Sequence, residues 1–283
     1  AVTLPVEDRW PQISQREIEA VVALLQAGEI SIAGGGGVIG ELERKYAEWI
    51  GVKYSLAQNN GTSTLHSAYF AVGVGFGDEV IVPSYTWHAT VTPIMHCGGT
   101  PIFCEIDPTT LTADAEDIEK KITARTKAIC VVHIWGNPAD MGAIMGISKR
   151  HGIPVIEDAS HAHGAEWGGK KIGSIGHIGC FSLQGSKPLT GGEGGMITTN
   201  DVDLFERMVI LGHYGRIQNT LMTDKYRQFG DSGLGIKYRA HPFAAAMALV
   251  QLERIEELNE KRAAWVAELD ERLEKIAGVT PVR

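Results

Sequence analysis

Phe181-Ser182-Leu183-Gln184-Gly185-Ser186-Lys187-Pro188-Leu189-Thr190-Gly191-Gly192-Glu193-Gly194-Gly195 sets one lysine between an apolar run and a glycine-rich turn. Pro188 disfavours helical backbone at the residue before it, so Lys187 is expected on extended or turn backbone. The glycines beyond it permit backbone angles that other residues avoid, and they let a ligand approach closely. A lysine beside a flexible turn is commonly just a solvated charge. A lysine among small residues at the end of an apolar strand is also a place where an amine can do chemistry. The rest of the chain decides between the two.

Outward from this stretch, short apolar runs alternate with helical patterns. Strands are expected at 55–58, 79–83, 101–106, 128–133, 154–158, 179–183 and 195–199. Helices are expected at 62–72, 87–96, 113–121, 139–151 and 201–211. Strand and helix repeated in this way predict an α/β fold with a mostly parallel central sheet flanked by helices. Such sheets bind ligands beyond the carboxyl ends of their strands. Before this region, Ser14-Gln15-Arg16-Glu17 reads as a capping box, with Ile18, Val21, Val22 and Leu25 at helical spacing and Gly28 as the stop. Gly34-Gly35-Gly36-Gly37 reads equally as a hinge or as a loop over a ligand. A second helix follows at 40–49.

Beyond Gly212 the chain is polar and irregular until His241-Pro242-Phe243, where a long helix to about residue 275 begins. Its first part, 244–250, is apolar all round and its later part is charged, as for a helix leaving a core. Two units are therefore expected: a large domain at 1–240, and at 241–283 a long helix with the start of an incomplete small C-terminal domain.

The chain has 283 residues, 44% hydrophobic and 21% charged, with a formal net charge of −8. That composition is globular. The absence of a basic run argues against nucleic-acid binding. No stretch is long and apolar enough for a membrane span, and no secretory leader is recognisable. Cys97, Cys104, Cys130 and Cys180 include no C-x-x-C pair, so reduced, buried thiols in a cytoplasmic protein are expected.

The candidate site residues follow the strands. Asn60-Gly61-Thr62-Ser63-Thr64 opens a helix with small residues and hydroxyls, a setting for an anion such as phosphate as well as a plain helix cap. Tyr85-Thr86-Trp87-His88 offers an aromatic that can stack on a flat heterocycle. Asp158, in Glu157-Asp158-Ala159-Ser160-His161-Ala162-His163-Gly164, is a partly buried carboxylate that needs a cationic or hydrogen-bonding partner. A protonated pyridine nitrogen would serve. A metal site built from Asp158, His161 and His163, as in a hydrolase, is the rival. With Ser182 adding a hydroxyl, these pieces describe one ligand: pyridoxal 5'-phosphate, its aldehyde on Lys187 and its ring nitrogen facing Asp158.

The combination resembles the DegT/StrS family of sugar aminotransferases, which are fold-type I pyridoxal phosphate enzymes. The pieces that carry the resemblance are Asn60-Gly61-Thr62, Pro83-Ser84-Tyr85-Thr86-Trp87, His133-Ile134-Trp135-Gly136-Asn137-Pro138-Ala139-Asp140-Met141, the Glu157–Ala165 run, Ser182 to Lys187, and Gly192-Glu193-Gly194-Gly195. The resemblance implies that Lys187 forms the internal aldimine and carries the transferred proton. It implies that Asp158 pairs with the pyridine nitrogen, that His161 sits near the ring hydroxyl and that Trp87 stacks on the ring. Gly61, Thr62, Ser63 and Ser182 would hold the phosphate. Tyr238-Arg239 matches a family pair whose preceding residue, often asparagine, reaches the neighbouring subunit's cofactor; here that residue is Lys237. Family members usually continue through the rest of a small domain. Related sugar dehydratases carry histidine in place of the lysine, so Lys187 favours transamination. The implied activity is amino transfer from glutamate or glutamine to a keto-sugar or keto-cyclitol, by a homodimer with shared active sites and without a metal. A non-catalytic or regulatory protein on the same fold is the further alternative.

Overall fold

The computed structural model describes residues 10–230 and 232–282. Of the two expected units, residues 1–9, Asp231 and Arg283 lie outside the described residues. In chain order the elements are α1 (Gln15–Ala27), α2 (Gly37–Ile50), β1 (Tyr54–Gln58), α3 (Gly61–Ala71), β2 (Glu79–Pro83), α4 (His88–His96), β3 (Thr100–Cys104), α5 (Ala115–Lys120), β4 (Thr126–Val132), α6 (Met141–His151), β5 (Val155–Asp158), β6 (Glu166–Trp167), β7 (Lys170–Lys171), β8 (Ile178–Ser182), β9 (Gly195–Thr199), α7 (Val202–Gly212), α8 (Ile217–Thr220) and α9 (Pro242–Leu273). All the strands expected from sequence are present, within two residues of their expected bounds.

Seven strands form one sheet in the order β1-β9-β8-β5-β4-β2-β3, and β6 and β7 make a separate hairpin. The central pairs are parallel; β9 runs antiparallel to β8 and to β1. Side chains alternate across the pleat. Ala57, Ile81, Ile129, Val131, Val155, Phe181 and Met196 pack into one core with α2, α6 and the first half of α9. Their chain neighbours Leu56, Val80, Val82, Ala128, Cys130, Ile156, Cys180 and Ile197 pack into a second core with α3, α4 and α7. The sheet is thus covered on both faces, as a mostly parallel sheet requires. All four cysteines are free; Cys104, Cys130 and Cys180 are buried within these layers.

α1 begins with the expected capping box: Ser14 and Glu17 exchange bonds with each other's backbone. Its Glu17, only 1% exposed, turns inward to Gln251 and Arg254 of α9, while Ile18, Val22 and Leu25 stay open. α2 starts inside the glycine run, with Gly36 as its cap. The run lies against a buried ion pair. Arg216 donates to both Glu43 oxygens at 2.8 and 2.9 Å, and Glu43 also accepts from the Ala57 amide. Gly35 has φ +73°, and a Cβ there would strike the Arg216 guanidinium. Glycine is needed for close approach as well as for the backbone angle.

The packing break in the C-terminal part falls inside α9. Ala245, Ala248, Leu249, Leu252, Ile255 and Leu258 are buried, whereas Trp265, Val266 and Leu269 are exposed. The first half of this helix packs into the core with α2 and α6.

Removing one partner of a buried ion pair strands the other charge. Arg216→Met is expected to lower unfolding free energy by about 3–5 kcal/mol in urea denaturation, and the double change Glu43→Leu/Arg216→Met to recover much of that loss.

Candidate active site

The parallel strands all point their carboxyl ends to one edge of the sheet, and a cavity of about 690 Å³ opens there. Asn60, Gly61 and Thr62 come from the end of β1, and Tyr85, Thr86 and Trp87 from the end of β2. Ile134 and Trp135 follow β4; Asp158, Ser160 and His161 end or follow β5. Ser182, Gln184, Ser186 and Lys187 end or follow β8, and Glu193 precedes β9. Of the residues expected from sequence, Gly61, Thr62, Trp87, Asp158, His161, Ser182 and Lys187 line this one cavity. Ser63 and Lys237 do not. The Ser63 hydroxyl donates to the Asn60 carbonyl at 2.7 Å and its amide to the Asn60 side chain, so it serves as part of the α3 cap. Lys237 is exposed, on a segment bridged to His213. The glycine run at 34–37 is not in the cavity wall either.

Glu157 and Asp158 are adjacent acids with opposite surroundings, because the pleat sends them to opposite faces. Asp158 faces α4 and is 6% exposed. Thr90 Oγ1 donates to its Oδ2 at 2.7 Å, and the Ser160 amide donates to Oδ1 at 3.2 Å. With the Thr90 proton committed, Thr86 must donate to Thr90 Oγ1, 2.7 Å away. The Thr90 carbonyl in turn accepts from Tyr69 of α3 at 2.7 Å. Glu157 is fully buried on the other face, where it accepts from His133 and from the amides of Gly173, Ile175 and Gly176. Thr90 was absent from the sequence reading. Thr86 lies ahead of α4 and Thr90 in its first turn, so no helix-face spacing marks the pair in the sequence.

Lys187 lies on bend backbone just after a turn, with its amide donating to the Gln184 carbonyl at 2.9 Å. Burial lowers the pKa of its amine below the usual lysine value, and Asp158 opposes that shift. His161 accepts at Nδ1 from the Trp135 amide, 3.3 Å away, so the neutral ring carries its proton on Nε2. Burial, with Lys187 adding to it, holds the pKa of His161 below the normal histidine value. The Trp135 ring stacks on His161 at 5.1 Å, and its indole N–H reaches Tyr85. Trp135 has φ 55°, a left-handed conformation that costs energy for a bulky residue. It is 71% exposed at the cavity and is a site residue to which the sequence reading gave no role.

The metal reading fails on geometry. His163 donates from Nε2 to the Ser182 carbonyl at 2.9 Å, and its Nδ1 meets the Tyr46 hydroxyl at 3.2 Å. Neither nitrogen is left for a ligand. Among the described residues, no group of three or more His, Cys, Asp or Glu side chains is arranged to hold a metal ion.

The residues present suit pyridoxal phosphate. An amine, a buried carboxylate and an aromatic line the same cavity. At the β1 and β8 end the backbones close in: a Cβ on Gly61 would stand 2.7 Å from the Ser182 Cβ. Gly195, paired with both Gln58 and Ser182, would bring a Cβ within 2.5 Å of the Asn60 carbonyl. That crowding leaves a cradle of backbone amides and small hydroxyls at the start of α3, where a helix favours an anion.

The fold is that of the fold-type I pyridoxal phosphate enzymes, whose solved members include close structural matches. An aminotransferase from Psychrobacter cryohalolentis superposes with TM-score 0.84 at 36% identity, over 92% of this chain and 67% of that one. 3-Amino-5-hydroxybenzoic acid synthase gives 0.89 at 34% identity, over 97% and 70%. Residues 11–283 match the model of the DegT/DnrJ/EryC1/StrS aminotransferase family, and the chain belongs to that family. It is 41% identical over 266 residues to GDP-perosamine synthase of Caulobacter vibrioides, covering 94% of this chain and 69% of that protein. It is 36% identical over 271 residues to L-glutamine:2-deoxy-scyllo-inosose aminotransferase of Streptomyces paromomycinus, covering 93% and 64%. Against a putative L-glutamine:3-amino-2,3-dideoxy-scyllo-inosose aminotransferase of Streptomyces kanamyceticus it spans 54% of the relative's length.

Burial depresses the pKa of His163 from 6.5 to about 4. The unfolded chain therefore takes up a proton that the folded protein refuses. Stability present above pH 6.5 is lost as pH falls toward 4, by on the order of 3 kcal/mol at the lower end. Urea denaturation across this range should show a shallower pH slope for His163→Gln than for the parent protein.

Proposed function

We propose that this chain forms the cofactor-binding part of a pyridoxal phosphate-dependent aminotransferase. It would move an amino group from glutamate or glutamine to a ketone on a sugar or cyclitol. The observation that carries the reading is the shared cavity of Lys187 and Asp158, with the Gly61–Ser182 cradle in the same wall. When bound, pyridoxal phosphate supplies an aldehyde that condenses with primary amines and a ring that stabilises the carbanion formed beside that nitrogen.

The chain's own residues then have distinct tasks. Lys187 offers a partly desolvated amine, whose lowered pKa raises the neutral, nucleophilic fraction, and it would move the proton during transfer. Asp158, held by Thr90 and the Ser160 amide, would keep a proton on the heterocycle nitrogen. His161, fixed as the Nε2–H tautomer, would donate to the ring hydroxyl. Trp87 is 66% exposed in the cavity wall, free to cover a flat ring. Gly61, Thr62 and Ser182 would hold the phosphate, with Ser63 acting through the helix cap. Lys237, exposed and outside its own cavity, would reach the partner's phosphate in a homodimer.

The names of the relatives support a sugar or cyclitol acceptor: one makes GDP-perosamine, another aminates 2-deoxy-scyllo-inosose. Protein supplied with pyridoxal phosphate is expected to show a visible absorption band that vanishes in Lys187→Ala. Glutamate or glutamine should bleach the band, and a keto-sugar or keto-cyclitol acceptor should restore it. Turnover should fall by about 10²–10⁴-fold in Lys187→Ala. Cofactor-supplied parent protein without a band would sink the proposal.

A further inference from the structure

The loop that carries Lys187 is held from outside the cavity by two residues far apart in sequence. Trp10 donates from its indole N–H to the Ser186 carbonyl at 3.2 Å. Arg262 of α9 donates from Nη2 to the Pro188 carbonyl at 2.8 Å. These are the carbonyls of the residues immediately before and after the lysine. The two donors also brace each other, with the Arg262 guanidinium 4.2 Å from the centre of the Trp10 ring. Arg262 donates further to Asn259 Oδ1 at 2.6 Å, and Asn259 donates to the His163 carbonyl at 2.9 Å. His163 in turn donates to the Ser182 carbonyl, where the loop leaves β8.

We propose that Trp10 and Arg262 are positioning residues that clamp the backbone on both sides of Lys187 and so set where its amine can reach. The inference rests on the reading of Lys187 as the cofactor-bonding lysine. Pro188 has no amide proton, and the Lys187 amide is already committed to Gln184. The Ser186 amide is likewise held by the Gln184 side chain, and the carbonyls at 186 and 188 each take a donor from outside the loop. A lysine side chain is long and flexible, so fixing its Cα fixes the origin of its reach. Displacement of a reacting group by about 1 Å can cost about 10²-fold in rate. An arginine suits the task, because its fixed charge and planar fork allow it to stack on the indole and donate at the same time.

The test uses the full chain and pyridoxal phosphate itself. Apo-protein is mixed with the cofactor and growth of the visible band is followed, while hydrogen exchange is measured across 184–189. Trp10→Phe removes the N–H but leaves an aromatic ring under the Arg262 guanidinium, whereas Trp10→Ala removes both, so comparing the two separates the hydrogen bond from the stacking. Trp10→Phe is expected to slow band formation several-fold, and Trp10→Ala and Arg262→Gln by about 10–100-fold. Exchange across the loop should quicken in the same order. Band formation at the parent rate in Trp10→Phe and Arg262→Gln overturns the clamp, as does a slow rate in Arg262→Gln with no effect in Trp10→Phe. If the parent protein forms no band, the proposed function fails instead. The clamp is then judged by exchange alone: unchanged protection in the variants overturns it, and faster exchange upholds it.

Discussion

A carboxylate buried at the carboxyl end of a central strand is costly unless it is bonded on every side. Asp158 meets that demand through Thr90 and its own loop, and the solution organises the neighbourhood. Thr90 sits on α4, takes a bond from Thr86, and gives its carbonyl to Tyr69 of α3. One buried charge therefore fixes the relative placement of β5, α4 and α3. The start of α3 is the proposed anion cradle, and the start of α4 carries Trp87. The residues proposed for the two ends of one ligand are thus held in register by the same short chain of hydrogen bonds.

The other face of the sheet does the complementary work. Glu157 points away from the cavity and gathers three loop amides and His133. His133 accepts at Nδ1 from the Ala139 amide, 3.1 Å away, so its Nε2 carries the proton shared with Glu157. His161 and His163 also have their tautomers set by backbone partners. Three histidines around the site therefore act as neutral groups with assigned donor and acceptor atoms, and the histidine richness of this region is structural as much as chemical.

α9 joins this arrangement from a distance. Its buried half completes the core on the α2 side, and Asn259 and Arg262, at the point where the helix leaves that core, reach His163 and Pro188. The lysine loop is consequently fixed by a helix that begins more than fifty residues after it in sequence.

The alternation of apolar runs and helical patterns was enough to locate the seven main strands, because burial on both faces leaves a strong, local signature. Gly61, Thr62, Trp87, Asp158, His161, Ser182 and Lys187 end or follow those strands and line one cavity, since a parallel sheet forces strand ends to one edge. Local pattern could not say which of its two readings, helix cap or anion setting, Ser63 would take, or that the glycine run would lie against Arg216. Nor could it find Thr90, Trp10 and Arg262, or foresee the strained backbone of Trp135. Each of these depends on a partner between three and about 180 residues away, and the distant pairings exist only once the sheet is closed between its helices. What the chain determined by itself was periodicity and the chemistry available at each strand end. Which hydrogen bond each polar group takes was decided by the tertiary structure, because competing donors and acceptors become distinguishable only when folding brings them within 3 Å or so of one another.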